Sequence, residues 1–420
     1  MTILGDILST LFERRATEHA YSEKEDGPVS KLCHTLLTPQ GDVIGIPIAG
    51  KILAAYDQFD DVQKAGFFRF LLTEMDIDAA AVKRSLDQYQ KTPDTEQMTQ
   101  YLSISEPKRR ELFRRLNQGD GATKRLVAMR KDLLRLAKSE PDLKTVDLDF
   151  RRLFKSWFNN GFLVLRPISW GSPADILEKI IAYEAVHAID SWDELRRRLE
   201  PVDRRCFAYF HPAMPDEPLI FVEVALTESV PSSIQSVLAE TRDVIAPQMA
   251  KTAVFYSISN CQTGLAGISF GNALIKNVVA HLANEIPNLT TFVTLSPIPK
   301  LAAWAKANEK EEDTFTDDEL LKLAAQYLLE AKNNNNLPYD PVARFHLNNG
   351  AFVHAIHAGA DTSQSGQKQS YGAMVNYMYD LNAISQNHAE IAINGQVVSS
   401  KSVKALAKSK PKKPKKTKGS

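Results

Sequence analysis

A glycine-rich segment between a strand and a helix is the clearest candidate for ligand binding. The apolar strand Ala253–Ile258 is followed by Gly264, Gly267 and Gly271, and a helix begins at Asn272. Glycines let backbone N–H groups approach a ligand closely, and a helix N-terminus offers unpaired N–H groups, which suits a pyrophosphate. The spacing is neither that of a dinucleotide fold nor that of a P-loop. The residues alone therefore leave open an anion site or a structural turn.

Ser296 and His346 carry groups that could act on a substrate. Histidine titrates near neutrality and can transfer protons, whereas a serine hydroxyl can donate and accept hydrogen bonds. A serine before a proline is usually a turn residue, however, and a histidine among apolar neighbours usually serves packing. From residue types alone, both positions remain structural.

The histidines and cysteines do not indicate a metal site. His354 and His357 lie three residues apart near His346 and Asp361, in or directly after the predicted strand Phe352–Ile356. Residues three apart in a strand point to opposite faces, so both side chains cannot easily bind one ion. The three cysteines are far apart, and no Cys-x-x-Cys pair exists. We expect no metal and no disulfide framework.

The elements that must position these residues fall into two parts. Helical periodicity dominates residues 1–157, beginning with Ile3–Ala16. Strands interleaved with helices follow in residues 158–400, which favours a mixed sheet. The predicted class is α+β, with an N-terminal helical bundle, an architecture that often serves packing or assembly, before a mixed α/β domain. In the bundle, four arginines are predicted to form a solvated face: Arg109, Arg110, Arg114 and Arg115.

The C-terminus differs in composition from the rest of the chain. Residues 401–420 hold nine lysines and no acidic residue, although the whole chain has a net charge of zero. Such a segment predicts a disordered Lys/Pro-rich tail. No apolar run approaches the roughly 18 residues of a membrane span. We expect a cytoplasmic protein with no membrane contact and no specific nucleic-acid partner.

The order of elements resembles the N-acetyltransferase superfamily. There the pyrophosphate of coenzyme A lies on a strand, glycine loop and helix, commonly with a Gln/Arg-x-x-Gly-x-Gly/Ala pattern. Gln262–Gly267 is a near variant in which one glycine is displaced. Ala343–Phe352 looks like the late helix, turn and strand of that fold. The resemblance implies an N-acetyltransferase-like (GNAT) catalytic domain.

A more specific resemblance is to the malonyl-CoA decarboxylase family, and it is collinear from Trp157 to Tyr379. The segments that carry it are Tyr183–His187, Asp203–Phe207, His211–Thr227, Tyr256–Asn260, Leu295–Pro299, Asp340–Gly350 and Met374–Tyr377.

This resemblance implies Ser296 and His346 as the catalytic pair. Some relatives, including animal ones, have a glutamate at the position of Ser269 that can orient the histidine, and a serine cannot supply that charge. Tyr379 is implied as a further hydrogen-bonding group. The implied substrate-binding residues are Gly264, Ala266, Gly267, Ile268, Ser269, Phe270, Gly271, Asn272, Ser296, His346 and Tyr379.

The implied reaction converts malonyl-CoA to acetyl-CoA and carbon dioxide. Carbon dioxide leaves a carbanion that the thioester stabilises as an enolate, so no separate cofactor is expected; coenzyme A is part of the substrate. The resemblance implies that His346 donates a proton. It also implies that Ser296 binds the substrate carboxylate and accepts a proton. The family's tetramers imply a homotetramer or another homo-oligomer.

Two alternatives fit the same fold. An acyl-CoA-dependent N-acetyltransferase would require an amine acceptor. A non-catalytic acyl-CoA-binding protein would leave the thioester intact. Release of carbon dioxide from malonyl-CoA without an acceptor distinguishes the predicted enzyme from both.

Overall fold

The computed structural model describes residues 28–268, 272–310 and 315–409. Its chain forms two compact units, residues 1–122 and 123–420. The predicted first helix, Ile3–Ala16, lies outside the described residues. Of Ser269, Phe270 and Gly271, likewise, no conformation is described.

The first unit is helical, as predicted. Its described helices are α1 (Val29–Leu36), α2 (Pro39–Asp57), α3 (Asp61–Thr73), α4 (Ala79–Lys91), α5 (Thr95–Ile104) and α6 (Lys108–Leu116).

Local signals explain where these helices begin and bend. Asp60 and Gln63 form a reciprocal capping box at the start of α3, with hydrogen bonds of 2.8 and 2.9 Å. Helix α2 changes direction at Ile44, whose φ and ψ of −120° and 25° are not helical.

The predicted arginine face of α6 is wrong at Arg109. Its side chain is 3% exposed and lies 2.9 Å from Asp76. The basic run of α6 therefore mixes one buried arginine with three more exposed ones that pair with Glu106 or Glu111. A helix of three to four residues per turn points successive side chains in different directions.

The second unit begins within helix α7 (Ala122–Leu136), and α8 (Lys144–Trp157) follows. An eight-stranded sheet follows, and further helices flank its strands. The strands are β1 (Val164–Ile168), β2 (Arg204–Phe210), β3 (Ile220–Thr227), β4 (Thr252–Asn260), β5 (Thr291–Thr294), β6 (Ser296–Pro297), β7 (Phe352–His357) and β8 (Met374–Met378).

The connecting helices come mostly between the strands. They are α9 (Ala174–Tyr183), α10 (Trp192–Leu199), α11 (Ile234–Leu238), α12 (Asn272–Glu285), α13 (Leu301–Ala307), α14 (Asp317–Glu330), α15 (Pro341–Asn348), α16 (Gln364–Ser370), α17 (Ile384–Asn394) and α18 (Lys401–Lys408).

The sheet has the order β1-β2-β3-β4-β5-β8-β6, and β7 pairs with β8. Strands β1 to β4 are antiparallel, β4 and β5 are parallel, and β8 is antiparallel to its three partners. Helix α12 connects the parallel pair, as a crossover requires. The predicted α+β class, a helical region before a mixed sheet, is confirmed. The predicted domain boundary at residues 157 and 158 stays a prediction.

The prediction of disorder from residue 401 is wrong for Lys401–Lys408, which form α18. Ser400 caps this helix by accepting a hydrogen bond from Val403 N. Val403 and Ala407 are buried at helical spacing, and α18 packs against α14 and β7. Lysines lie between these small apolar residues. The spacing of the apolar residues is typical of a helix, although the high lysine content predicts disorder.

Candidate active site

Ser296 lies at the point where two parallel strands separate. Strands β4 and β5 pair from Thr252 with Thr291 to Phe255 with Thr294. Ser296 then begins β6 and pairs with Val375 of β8. The serine is thus fixed by backbone pairing directly after the point where β4 and β5 stop pairing.

His346 is positioned by the short helix α15. Asp340 caps this helix by accepting hydrogen bonds from Val342 N and Ala343 N at 2.8 and 3.0 Å, and Pro341 occupies the first turn. The imidazole stacks on the ring of Tyr377, with centroids 4.7 Å apart and planes at 24°. Capping and stacking together fix the ring's orientation.

The structure brings Ser296, His346 and Tyr379 together. Ser296 Oγ lies 3.2 Å from Nε2 of His346, and Tyr379 Oη lies 2.8 Å from Nδ1. Ser296 Oγ also donates to Thr294 Oγ1 at 2.8 Å. If the Ser296 hydroxyl donates its hydrogen bond to Thr294, its oxygen must accept one from Nε2–H of His346. The imidazole then carries its proton on Nε2, and its Nδ1 accepts a hydrogen bond from the Tyr379 hydroxyl. The four groups then form one continuous chain of hydrogen bonds.

The site is almost completely enclosed. Ser296 is 5% exposed, His346 3% and Tyr379 2%. Burial lowers the pKa of His346 to about 3, because the charged imidazolium loses its hydration. Burial also raises the pKa of Tyr379 well above its usual value. The resting site therefore contains a neutral imidazole and a neutral phenol.

Tyr379 orients His346 in this chain, which has a serine at position 269 where some relatives have a glutamate. Its hydroxyl hydrogen-bonds to Nδ1, and the Tyr377 ring supports the imidazole face. A neutral donor holds the ring without adding a negative charge beside it. The histidine can therefore be oriented without a carboxylate.

The predicted substrate loop has a buried and an exposed part. Gly264 and Leu265 are buried within a short 3-10 turn, Ala266 and Gly267 are exposed, and Ile268 is buried. A Cβ on Gly264 would lie only 1.9 Å from the carbonyl oxygen of Val127 in α7, so tight packing requires this glycine. Gly267 has a φ of +75°. Asn272 is the first residue of α12.

Three residues with structural roles here were not predicted. Thr294 joins the hydrogen-bonded chain and also accepts from Tyr377 N at 3.1 Å. Glu184, inside the Tyr183–His187 segment, accepts from Ser257 Oγ at 2.7 and 2.8 Å, and so supports β4 beyond the point of separation. Arg130 contacts the glycine loop from α7. Only Glu184 lay in a segment that the sequence had singled out.

The residues weighed for metal binding have other contacts. His357 Nε2 hydrogen-bonds to Asn376 Oδ1, and the His354 ring packs against Phe352 at 6.0 Å. In the part of the chain that the structure describes, no group of three or more His, Cys, Asp or Glu side chains could hold a metal ion. Within the same residues, no helix is long and apolar enough to cross a membrane.

Comparison with protein families gives two adjacent matches. The malonyl-CoA decarboxylase C-terminal domain matches residues 161–319 and 308–417. The malonyl-CoA decarboxylase N-terminal domain matches residues 76–158. The C-terminal match alone spans more than half of the chain and contains Ser296, His346 and Tyr379.

Characterised and solved relatives agree with these matches. The mitochondrial malonyl-CoA decarboxylase of Anser anser anser is 34% identical over 334 residues, which are 67% of this chain and 66% of the relative. The crystal structure of malonyl-CoA decarboxylase from Rhodopseudomonas palustris is 44% identical, with a TM-score of 0.85, covering 90% of this chain and 98% of that one. The enzyme from Agrobacterium vitis gives 44% identity and the same TM-score, with 91% and 100% covered.

Proposed function

Because this chain belongs to the malonyl-CoA decarboxylase family, we propose that it cleaves malonyl-CoA into acetyl-CoA and carbon dioxide at Ser296 and His346. The observation that supports this assignment is the hydrogen-bonded chain of Ser296, His346 and Tyr379 beside the separation of β4 and β5. This chemistry is that of a carboxy-lyase.

The reaction requires stabilisation of a transient negative charge. Breaking the carbon–carboxylate bond leaves two electrons on the α-carbon, and these delocalise onto the thioester oxygen as an enolate. The Ser296 hydroxyl can turn from Thr294 towards the substrate carboxylate, while Nε2–H of His346 remains a donor. In a site with so little exposure, such donors act in a low dielectric and are typically worth about 3–4 kcal/mol each.

Proton delivery completes the reaction. The neutral His346 gives the proton on Nε2 to the α-carbon, and the Tyr379 hydroxyl gives its proton to Nδ1. The imidazole thereby passes from one neutral tautomer to the other and never becomes an imidazolium, which agrees with its depressed pKa. One proton from solvent restores the phenol in each turnover. The electron pair stays on carbon as a C–H bond, so we propose that no separate cofactor is needed.

The decisive experiment supplies malonyl-CoA to the purified protein without an acceptor. We expect stoichiometric acetyl-CoA and carbon dioxide, measured by chromatography and by trapping of labelled gas. Intact malonyl-CoA would identify a binding protein instead. Consumption of the thioester only when an amine is added would identify an acyltransferase.

Assembly and location follow as proposals of the same kind. We propose a homo-oligomer, such as a homotetramer, formed through the helical N-terminal part and located in the cytoplasm. Three free buried cysteines, Cys33, Cys206 and Cys261, fit a reducing compartment. Light scattering of the full chain should give a multiple of 46.8 kDa. A monomer at micromolar concentration would contradict the assembly proposal.

A further inference from the structure

The glycine loop is held by a buried arginine from α7. Nη1 of Arg130 donates to the Gly264 carbonyl oxygen at 2.6 Å, and Nε donates to Asp147 of α8 at 2.7 Å. The guanidinium also lies over the Phe154 ring, 5.9 Å from its centroid. Arg130 is 1% exposed. One side chain thus ties α7, α8 and the loop into a single rigid group.

The exposed part of the loop faces a second arginine on α8. A Cβ built on Gly267 would lie 4.0 Å from Nη2 of Arg151. Arg151 is exposed, and no hydrogen bond or ion pair joins it to another residue that the structure describes. Its guanidinium is therefore available beside Ala266 and Gly267, whose backbone is also exposed.

We propose that Arg151 binds a phosphate group of coenzyme A, so that the helix pair α7–α8 forms part of the substrate site. The inference rests on the proposed function, since it takes coenzyme A thioesters as the ligand. Arg130 is a positioning residue in this arrangement, because it holds the loop and does not itself reach solvent.

The chemistry of the two elements fits a phosphate. A guanidinium presents parallel N–H donors that match two phosphate oxygens, and its charge persists at every physiological pH. A glycine with positive φ leaves the loop backbone open where a side chain would stand. Together these groups select a phosphorylated carrier over a simple pantetheine thioester.

The test compares Arg151→Gln with Arg152→Gln, its exposed neighbour on the same helix. Calorimetric titration measures the affinity of each variant for coenzyme A. We expect Arg151→Gln to raise the Kd for coenzyme A about 10-fold or more, the scale of a lost charge-assisted hydrogen bond. The KM for malonyl-CoA should rise similarly while kcat stays unchanged. With malonyl-pantetheine, which lacks all phosphates, the variant and the wild type should have equal kcat/KM. Arg152→Gln should match the wild type throughout.

The outcomes separate this proposal from the proposed function. If the wild type binds coenzyme A and decarboxylates malonyl-CoA, but folded Arg151→Gln keeps the wild-type Kd, this inference alone is wrong. Equal losses in Arg151→Gln and Arg152→Gln would indicate general electrostatics and also overturn it. A wild type that neither binds coenzyme A nor releases carbon dioxide would overturn both. Circular dichroism confirms that the variants are folded.

Discussion

The hydroxyl of Tyr379 lies 2.8 Å from Nδ1 of His346, while Ser296 contacts Nε2 from the other side of the ring. The imidazole is therefore held between two hydroxyl groups in an enclosed site. In the mechanism that we propose, the neutral histidine carries the proton to the substrate and the phenol replaces it.

Loss of either member of the Ser296–His346 pair should lower kcat much more than it weakens binding. In the proposed mechanism both act on charge that appears only during the reaction, and such interactions raise kcat. We expect losses on the order of 10²-fold or more for Ser296→Ala and for His346→Gln. Steady-state kinetics together with calorimetric titration of coenzyme A will check this. A folded His346→Gln protein with wild-type kcat would contradict the mechanism.

Tyr379→Phe should lower kcat about 10-fold, because the proton supply and one hydrogen bond of roughly 1 kcal/mol are removed while the ring volume stays. KM should change little. Tyr256→Phe is a matched control, because Tyr256 is also buried and its hydroxyl has no hydrogen-bond partner among the described residues. Equal rates for Tyr379→Phe and Tyr256→Phe would exclude a role for the phenol in the reaction.

The buried imidazole should make folding stability depend on pH. The unfolded chain protonates His346 near its usual pKa of about 6.5, whereas the folded chain does so only at about 3. Below about pH 6.5 the unfolded state binds more protons, so the free energy of unfolding falls as the pH falls. Between pH 7 and pH 5 this group alone should cost about 2 kcal/mol.

Urea titrations of the wild type and His346→Gln at the two pH values isolate that contribution. The variant should lose about 2 kcal/mol less than the wild type on acidification, because glutamine does not titrate. The same loss in both proteins would show that His346 is protonated normally in the folded state.

Gly264→Ala should destabilise the protein and raise KM for malonyl-CoA, because the added methyl group would collide with the Val127 carbonyl oxygen and displace the loop. Overpacking of this kind typically costs about 1–3 kcal/mol. Gly66→Ala is the control: it lies within α3, and its Cβ would meet nothing within 4 Å. Thermal denaturation should show a lower Tm for Gly264→Ala and an equal or higher Tm for Gly66→Ala.

Truncation should distinguish the last helix from the residues after it. Removal of residues 410–420 should leave both kcat and Tm unchanged, since these residues follow α18. Removal of residues 400–420 should lower Tm, because Val403 and Ala407 then no longer pack against the domain. Unchanged Tm in the longer truncation would show that α18 contributes nothing to stability.

The order of helices and strands could be predicted, because the spacing of apolar residues along the chain differs between helices and strands. The apolar run of β3 indicated a strand covered on both faces, and seven of its eight residues are buried. The pairing of Ser296 with His346 could not be derived from periodicity, since 50 residues separate them; the family resemblance supplied both. It placed Tyr379 only as a further hydrogen-bonding group.

The role of Arg130 could not be predicted from the sequence. It lies in a helix rich in basic residues, most of which face solvent, and no local signal distinguishes the buried one. Its acceptor, Gly264, is 134 residues away. Hydrogen bonds over such distances depend on how the helices pack against the loop, which spacing along the chain does not encode.

The contact between Arg130 and Gly264 also limits where the protein can be truncated. A shortened protein starting at residue 158 would begin just before the sheet, yet it would leave the Gly264 carbonyl without its donor and the loop without its supporting helices. A fragment that keeps the loop as the structure shows it must therefore include both α7 and α8.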